Sequence, residues 1–244
     1  MNALRHLIDW KFWRDEDIRH VLELARTVKH NRRDFETHMR GQTLVMLFQK
    51  TSTRTRVSFE AGMTELGGHA INLDWRASNF TLSKVRFETQ YLSRNAAMIM
   101  ARLKDNADIL EMEQAASVPI INGCCDLYHP CQALADMLTI AEYRTGNPEG
   151  AKLTYIGVYN NVVNSLVSIA AALGVRLTLV CPIRDGERWI WNPASACWMR
   201  ACSPRLQMRP WQFPMLTMCT PIPGWTWSIS TIPSTSKRSN DAAT

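Results

Sequence analysis

Long apolar runs are missing. No stretch of about 18 consecutive apolar residues occurs, so the sequence predicts no membrane-spanning helix. The opening "MNALRHLIDWKFW" interrupts its apolar residues with charge and does not read as a signal peptide. The expectation is a soluble, cytoplasmic protein without a membrane partner. A disulfide framework is missing too: there are seven cysteines, an odd number, and none in CxxC spacing. That usage fits reduced thiols. Cys124, Cys125 and Cys131 lack a CxxC or a His-rich companion, so buried thiols are expected there rather than a metal site. No cofactor and no metal is assigned. A concentrated basic face is also lacking. The net charge is +6, but from Arg184 onward seven Lys or Arg face three Asp or Glu, a balance of +4 that leaves only +2 for the first 183 residues. An ordinary body with a basic tail is a poor nucleic-acid signal, and no nucleic-acid partner is expected. No internal repeat stands out.

What is there begins with an orderly body. At 244 residues, 46% of them hydrophobic, the chain can build one large core or two small ones. "WRDEDIRHVLELARTVKHN" places Ile18, Val21, Leu22, Leu24, Ala25 and Val28 at helical spacing behind an acidic first turn. "TLVMLFQK" reads as a buried strand and leads into "TSTRTRVSFEAGMTELGG", a helix with Gly67-Gly68 as its stop. "HAINLD" and "AAMIMARL" predict further strands, and "HPCQALADMLTIAEYRTG" a helix ending at Gly146. After the break "NPEGAK" come strand "KLTYIGVY", helix "NNVVNSLVSIAAALG" and strand "VRLTLVCP". This alternation implies an α/β chain with parallel sheets, two βα units dividing near residue 148.

Chemistry concentrates where strands hand over to helices. In "STRTR", Ser52 to Arg56, hydroxyls and arginines gather at a helix mouth. Free backbone N–H groups and the helix dipole favour an anion there, and a guanidinium can clamp two of its oxygens. A lone Ser-Thr-Arg would read as an N-cap and a solvated turn; five such residues after a buried strand favour phosphate. In "HPCQ", His129 and Gln132 sit three apart on one helical face and could both hydrogen-bond a carbonyl oxygen, although a single His opening a helix is more often structural. In "NNVVNSL", Asn160 to Leu166, an amide-rich turn follows a strand, where open α/β sheets place ligands; capping by Asn explains it equally well.

Together "STRTRVSFEAGMTELGGHA", "HPCQALADMLTI" and "NNVVNSL" resemble the transcarbamylase family, specifically its ornithine carbamoyltransferases, over roughly residues 15 to 183. The resemblance implies a carbamoyl-phosphate domain (1–147), the start of an amino-acid domain (148–183), and a homotrimer sharing active sites between neighbours. Ser52, Thr53, Arg54 and Thr55 would hold the phosphate of carbamoyl phosphate, with Arg102 as a second cation. His129 and Gln132, with Thr55, would polarise the carbamoyl oxygen, and Asn161 would contact the α-amino-acid end of ornithine. The δ-amine attacks the carbonyl carbon, the tetrahedral intermediate collapses, and phosphate leaves to give citrulline in arginine metabolism, without a metal. Where the family carries a Gln in the loop reaching a neighbour's phosphate site, "SNFTLSK" has Thr81, with Lys84 nearby. Another acceptor, such as aspartate or an acylated ornithine, is the alternative within the family; "NNVVNSL" argues against aspartate.

From about residue 184 the resemblance stops. This tail holds six of the nine Trp and seven of the eleven Pro and follows no helical or strand period. The family's W-V-x-M-type and H-C-L-P-type loops do not appear, and the chain has no His after His129. One permitted back-translation of "WQFPMLTMCTPIPGWTWSIS", read from the third base of its first codon, gives AVSDADDVYTDTWVDMEYF, which looks like the absent segment. The single-codon residues Trp and Met fix many of those bases. The expectation is a transcarbamylase frameshifted near residue 184, with 184–244 an out-of-frame, poorly ordered tail and the chain inactive or severely impaired. Two other readings are a partner-binding segment using Trp189, Trp191, Trp198, Trp211, Trp225 and Trp227, and a catalytically dead remnant that binds anions.

Overall fold

The computed structural model describes residues 4–184. The expected tail, 184–244, lies outside the described residues apart from Arg184 itself. Strands β1 (Thr43–Phe48), β2 (His69–Asp74), β3 (Met98–Arg102) and β4 (Ile120–Asn122) form one sheet in the order β2-β1-β3-β4. Every pairing is parallel, with Thr43 opposite His69, Leu44 opposite Met98 and Ile99 opposite Ile120. Strands β5 (Lys152–Tyr159) and β6 (Arg176–Arg184) form a second parallel pair. Two parallel βα units are what the sequence predicted; helices α3 (Val85–Asn95) and α4 (Asn106–Ala115), and the short β4, were not read from it.

A parallel sheet needs cover on both faces, because its crossover helices lie there. Successive side chains of β1 supply both faces. Val45 and Leu47 pack with Ile99, Val85, Ile109 and Met112, which brings in α3 and α4. Leu44 and Met46 pack with Met100 and with Met63 of α2 (Thr53–Glu65). The second sheet's core joins Leu153, Tyr155 and Leu177 to Val163, Leu166 and Ile169 of α6 (Asn161–Ala172). Helices α1 (Asp15–His30) and α5 (Pro130–Tyr143) belong to that same core, through Ile18 and Leu22 and through Ala133, Met137 and Ile140.

The helix boundaries follow local chemistry. Asp15, Glu16 and Asp17 complement the dipole at the start of α1, and Lys29 and His30 do so at its end. Helix α2 stops in a Schellman motif: Gly67 N–H donates to the Thr64 carbonyl (3.0 Å) and Gly68 N–H to that of Met63 (2.8 Å), with Gly67 at φ +79°. Pro130 occupies the first position of α5, where its missing N–H costs no helical bond. That helix ends at Tyr143, just before the expected Gly146. Asn160 caps α6, its Oδ1 accepting from the N–H groups of Val162 (3.0 Å) and Val163 (3.4 Å).

Candidate active site

In an all-parallel sheet the carboxyl ends of the strands share one edge, and ligands bind beyond it. From that edge β1 runs into the start of α2, β3 delivers Arg102, and β4 runs through Gly123 toward His129. Ser52 caps α2, its Oγ accepting from the Thr55 N–H at 3.3 Å. Ser52 and Thr55 are half-buried, whereas Thr53 and Arg54 are exposed in the first turn. Arg56 is held by Glu60 one turn on, at 3.2 Å.

Arg102 is the hub. One of its guanidinium nitrogens donates to Thr55 Oγ1 (3.4 Å) and to the Gly123 carbonyl (3.3 Å). Its Nε and the Nδ1 of His129 are buried with no hydrogen-bond partner among the described residues. Such orphaned buried atoms are uncommon and cost free energy unless something satisfies them. Burial pushes the His129 imidazole down to about 4, and the positive charges of Arg102 and Lys50 add to the shift. The ring is therefore neutral at physiological pH. The structure thus gathers Ser52, Thr55, Arg102 and His129 around the start of α2.

Gln132 and Asn161 are placed differently. Gln132 is exposed, and its amide nitrogen donates to Asp136 at 3.0 Å. His129 is the N-cap residue of α5, its carbonyl accepting the Ala133 N–H at 3.2 Å, and Gln132 follows three residues on in the first turn. Asn161 donates through Nδ2 to the Cys125 carbonyl (2.6 Å) and to Cys124 Sγ (3.3 Å), which ties the start of α6 to the loop after β4. Thr81 and Lys84 are both exposed, with Thr81 Oγ1 donating to the Ser78 carbonyl at 3.0 Å.

Several contributors were missed in the sequence. Lys50 was visible two residues before Ser52, but it was read as the tail of a strand. Gln49 accepts the Lys104 N–H at 2.7 Å and steadies the Arg102 turn. Gly123 leaves room for Met100: a Cβ would lie 2.4 Å from its Sδ. Cys124 holds φ +154°, a region costly for a residue with a side chain, and donates its N–H to Asn122 Oδ1 at 3.0 Å. Cys124 and Cys125 are buried free thiols. A separate groove of about 410 Å³ lies between α1 and α2, lined by Val21, Leu24, Val28 and Leu66, and contains none of these residues.

The family model for the aspartate/ornithine carbamoyltransferase carbamoyl-phosphate binding domain matches residues 5–142, more than half of the chain. The chain belongs to the aspartate/ornithine carbamoyltransferase family. It is 40% identical over 182 residues to an ornithine carbamoyltransferase of Shewanella oneidensis, covering 73% of this chain and 60% of that protein. It is 42% identical over 172 residues to one from Methanobrevibacter smithii, covering 68% of this chain and 55% of that protein. The solved ornithine carbamoyltransferase of Pyrococcus furiosus superposes with a TM-score of 0.74 at 36% identity, over 84% of this chain and 66% of that one. The chain thus spans about 60% of the length of such curated relatives. As a family member it carries the carbamoyl-phosphate half that the "STRTR" and "HPCQ" segments led us to expect.

Proposed function

We propose that this chain is the carbamoyl-phosphate half, with the beginning of the amino-acid half, of an enzyme that carbamoylates the δ-amine of ornithine to give citrulline and phosphate. The observation that supports it most directly is the cluster at the carboxyl edge of the first sheet. The start of α2 and Arg102 offer hydrogen bonds and positive charge to a phosphate, while the buried, neutral His129 can hydrogen-bond a carbamoyl group rather than add charge. Ser52, Thr53, Arg54, Thr55 and Arg102 take the phosphate; Thr55, His129 and Gln132 take the carbamoyl oxygen; Asn161 meets the ornithine. Gln132 must leave Asp136 to take that part. Catalysis consists of holding the amine within near-attack distance and stabilising the oxyanion of the tetrahedral intermediate.

The enzyme works as a homotrimer in the cytoplasm, as part of arginine metabolism. Leu82, Phe87 and Tyr91 support the trimer, being 87%, 53% and 67% exposed on and before α3, close to Thr81 and Lys84. The 244-residue chain itself turns over near background, because its reading frame breaks near residue 184. The coding sequence across codons 180 to 190 tests the break directly. Citrulline formation from purified chain, ornithine and carbamoyl phosphate tests the activity: restoring the frame by one nucleotide should recover it. Robust turnover by the unrepaired chain refutes the frame break, and no turnover by the repaired one refutes the acceptor assignment.

A further inference from the structure

We propose that the N-terminal segment Leu7–Lys11 is the positioning element of His129, acting through Asp9 with Ser165 and through Trp10 with Pro130. The inference rests on the reading of His129 as a carbamoyl-phosphate ligand and adds what holds it in place. Leu7 lies alongside β4 like a further parallel strand, its N–H donating to the Ile120 carbonyl and its carbonyl accepting from the Asn122 N–H, both at 2.8 Å. The Ile8 carbonyl accepts from Asn122 Nδ2 at 3.1 Å. This docking delivers Asp9 and Trp10, both essentially without solvent exposure, to the turn that opens α5. Asp9 Oδ1 accepts from Ser165 Oγ at 2.6 Å, and the same Ser165 oxygen accepts the backbone N–H of His129 at 3.0 Å. One hydroxyl thus relays the hold of a buried carboxylate onto the backbone of His129, and its proton is committed toward Asp9. The second Asp9 oxygen is occupied by Ser168 Oγ (2.9 Å) and the Lys11 N–H (3.3 Å), so the carboxylate has little freedom to turn away. On the other side of His129, the Trp10 indole N–H donates to the Pro130 carbonyl at 2.8 Å.

The geometry is economical. His129 carries a buried ring with an unpartnered Nδ1, so no hydrogen bond at that atom fixes its direction. The backbone on either side is held instead, by elements more than 30 residues away in sequence on one side and more than 100 on the other. Ser165 lies in α6, so the clamp also joins His129 to the helix that carries Asn161.

The test compares two probes on the purified chain, since inorganic phosphate reports the α2 site and carbamoyl phosphate adds the carbamoyl end. Ser165→Ala and Trp10→Phe should each weaken carbamoyl phosphate roughly tenfold, the effect of losing one well-placed hydrogen bond, with inorganic phosphate unchanged. Asp9→Asn, which keeps an acceptor for Ser165, should rescue most of the binding that Asp9→Ala loses. If both probes weaken together, the segment merely supports the fold and the proposal fails. If neither weakens while His129→Gln does lose carbamoyl phosphate selectively, the positioning is refuted and the site assignment stands. If His129→Gln leaves both probes unaffected, the assignment of His129 falls, and the proposal with it.

Discussion

A buried neutral histidine that feels the charges of two cations has consequences that titration can read. Burial, then Arg102 and Lys50, hold the folded His129 at about 4, whereas an unfolded histidine takes up its proton near pH 6.5. Between those values the unfolded chain binds a proton that the folded chain refuses. The contribution of His129 to stability is therefore complete above pH 6.5 and is lost as pH falls toward 4. Its full size is no more than about 3 kcal/mol. Denaturant unfolding at pH 7 and pH 4.5 should show this loss, and His129→Gln should shrink it; an undiminished difference in the variant would rule out His129 as the cause. Arg54 sits exposed in the first turn of α2, where a guanidinium can clamp an oxyanion reached by the helix N–H groups. Arg54→Ala should weaken phosphate binding by about 10- to 100-fold in calorimetry, in keeping with a charge-assisted hydrogen-bond pair. Equal binding by parent and variant would show that the anion sits elsewhere.

At the scale of elements, α2 depends on how it stops as much as on how it starts. Gly67 holds φ +79°, and a Cβ there would lie 2.2 Å from the Glu36 carbonyl oxygen, a backbone atom that cannot swing aside. Gly67→Ala should destabilise the fold by about 2 kcal/mol or more, through strain and displacement of the 32–40 segment. A chemical-denaturation midpoint close to that of the parent would contradict the motif. Helix α3 poses the opposite problem, with Phe87 and Tyr91 facing solvent next to the exposed Leu82. If these residues are covered by a neighbouring subunit, Leu82→Asp with Tyr91→Lys should convert the proposed trimer to monomer in light scattering after size exclusion. The same mass for parent and variant would remove α3 from the interface.

At the scale of the whole molecule, the chain spans about 60% of curated relatives such as that of Shewanella oneidensis. Among its described residues the second sheet has two strands. Positioning an amine against a carbonyl is worth several orders of magnitude in rate. Of the residues expected to meet ornithine, Asn161 is the one within the described chain, and its amide is already hydrogen-bonded to Cys125. We therefore expect phosphate binding to survive in this chain while citrulline formation does not. A frame-restored gene product should show both. Parallel calorimetry and citrulline assays on the two proteins separate binding from turnover, and turnover by the 244-residue chain would overturn this expectation.

The sequence by itself determined α1, β1, α2, β2, β3, α5 and the β5-α6-β6 unit, because apolar runs, caps and the Gly67 and Gly146 stops are local signals carried by consecutive residues. It also placed Ser52 to Arg56 at the mouth of a helix, since a helix start is set by adjacent residues. Helices α3 and α4 escaped notice because their buried positions are sparse: Val85, Thr89 and Ser93 in one, Asn106, Ile109 and Met112 in the other. Lys50 looked like the end of a strand until folding brought its charge within electrostatic reach of His129. Only the tertiary structure could decide the state of that imidazole, because desolvation depends on what surrounds it and not on its own neighbours in sequence. The same holds for the hydroxyl of Ser165, which meets the carboxylate of Asp9, 156 residues away. No spacing rule reaches that far; two chain segments must first pack before their polar groups can find each other.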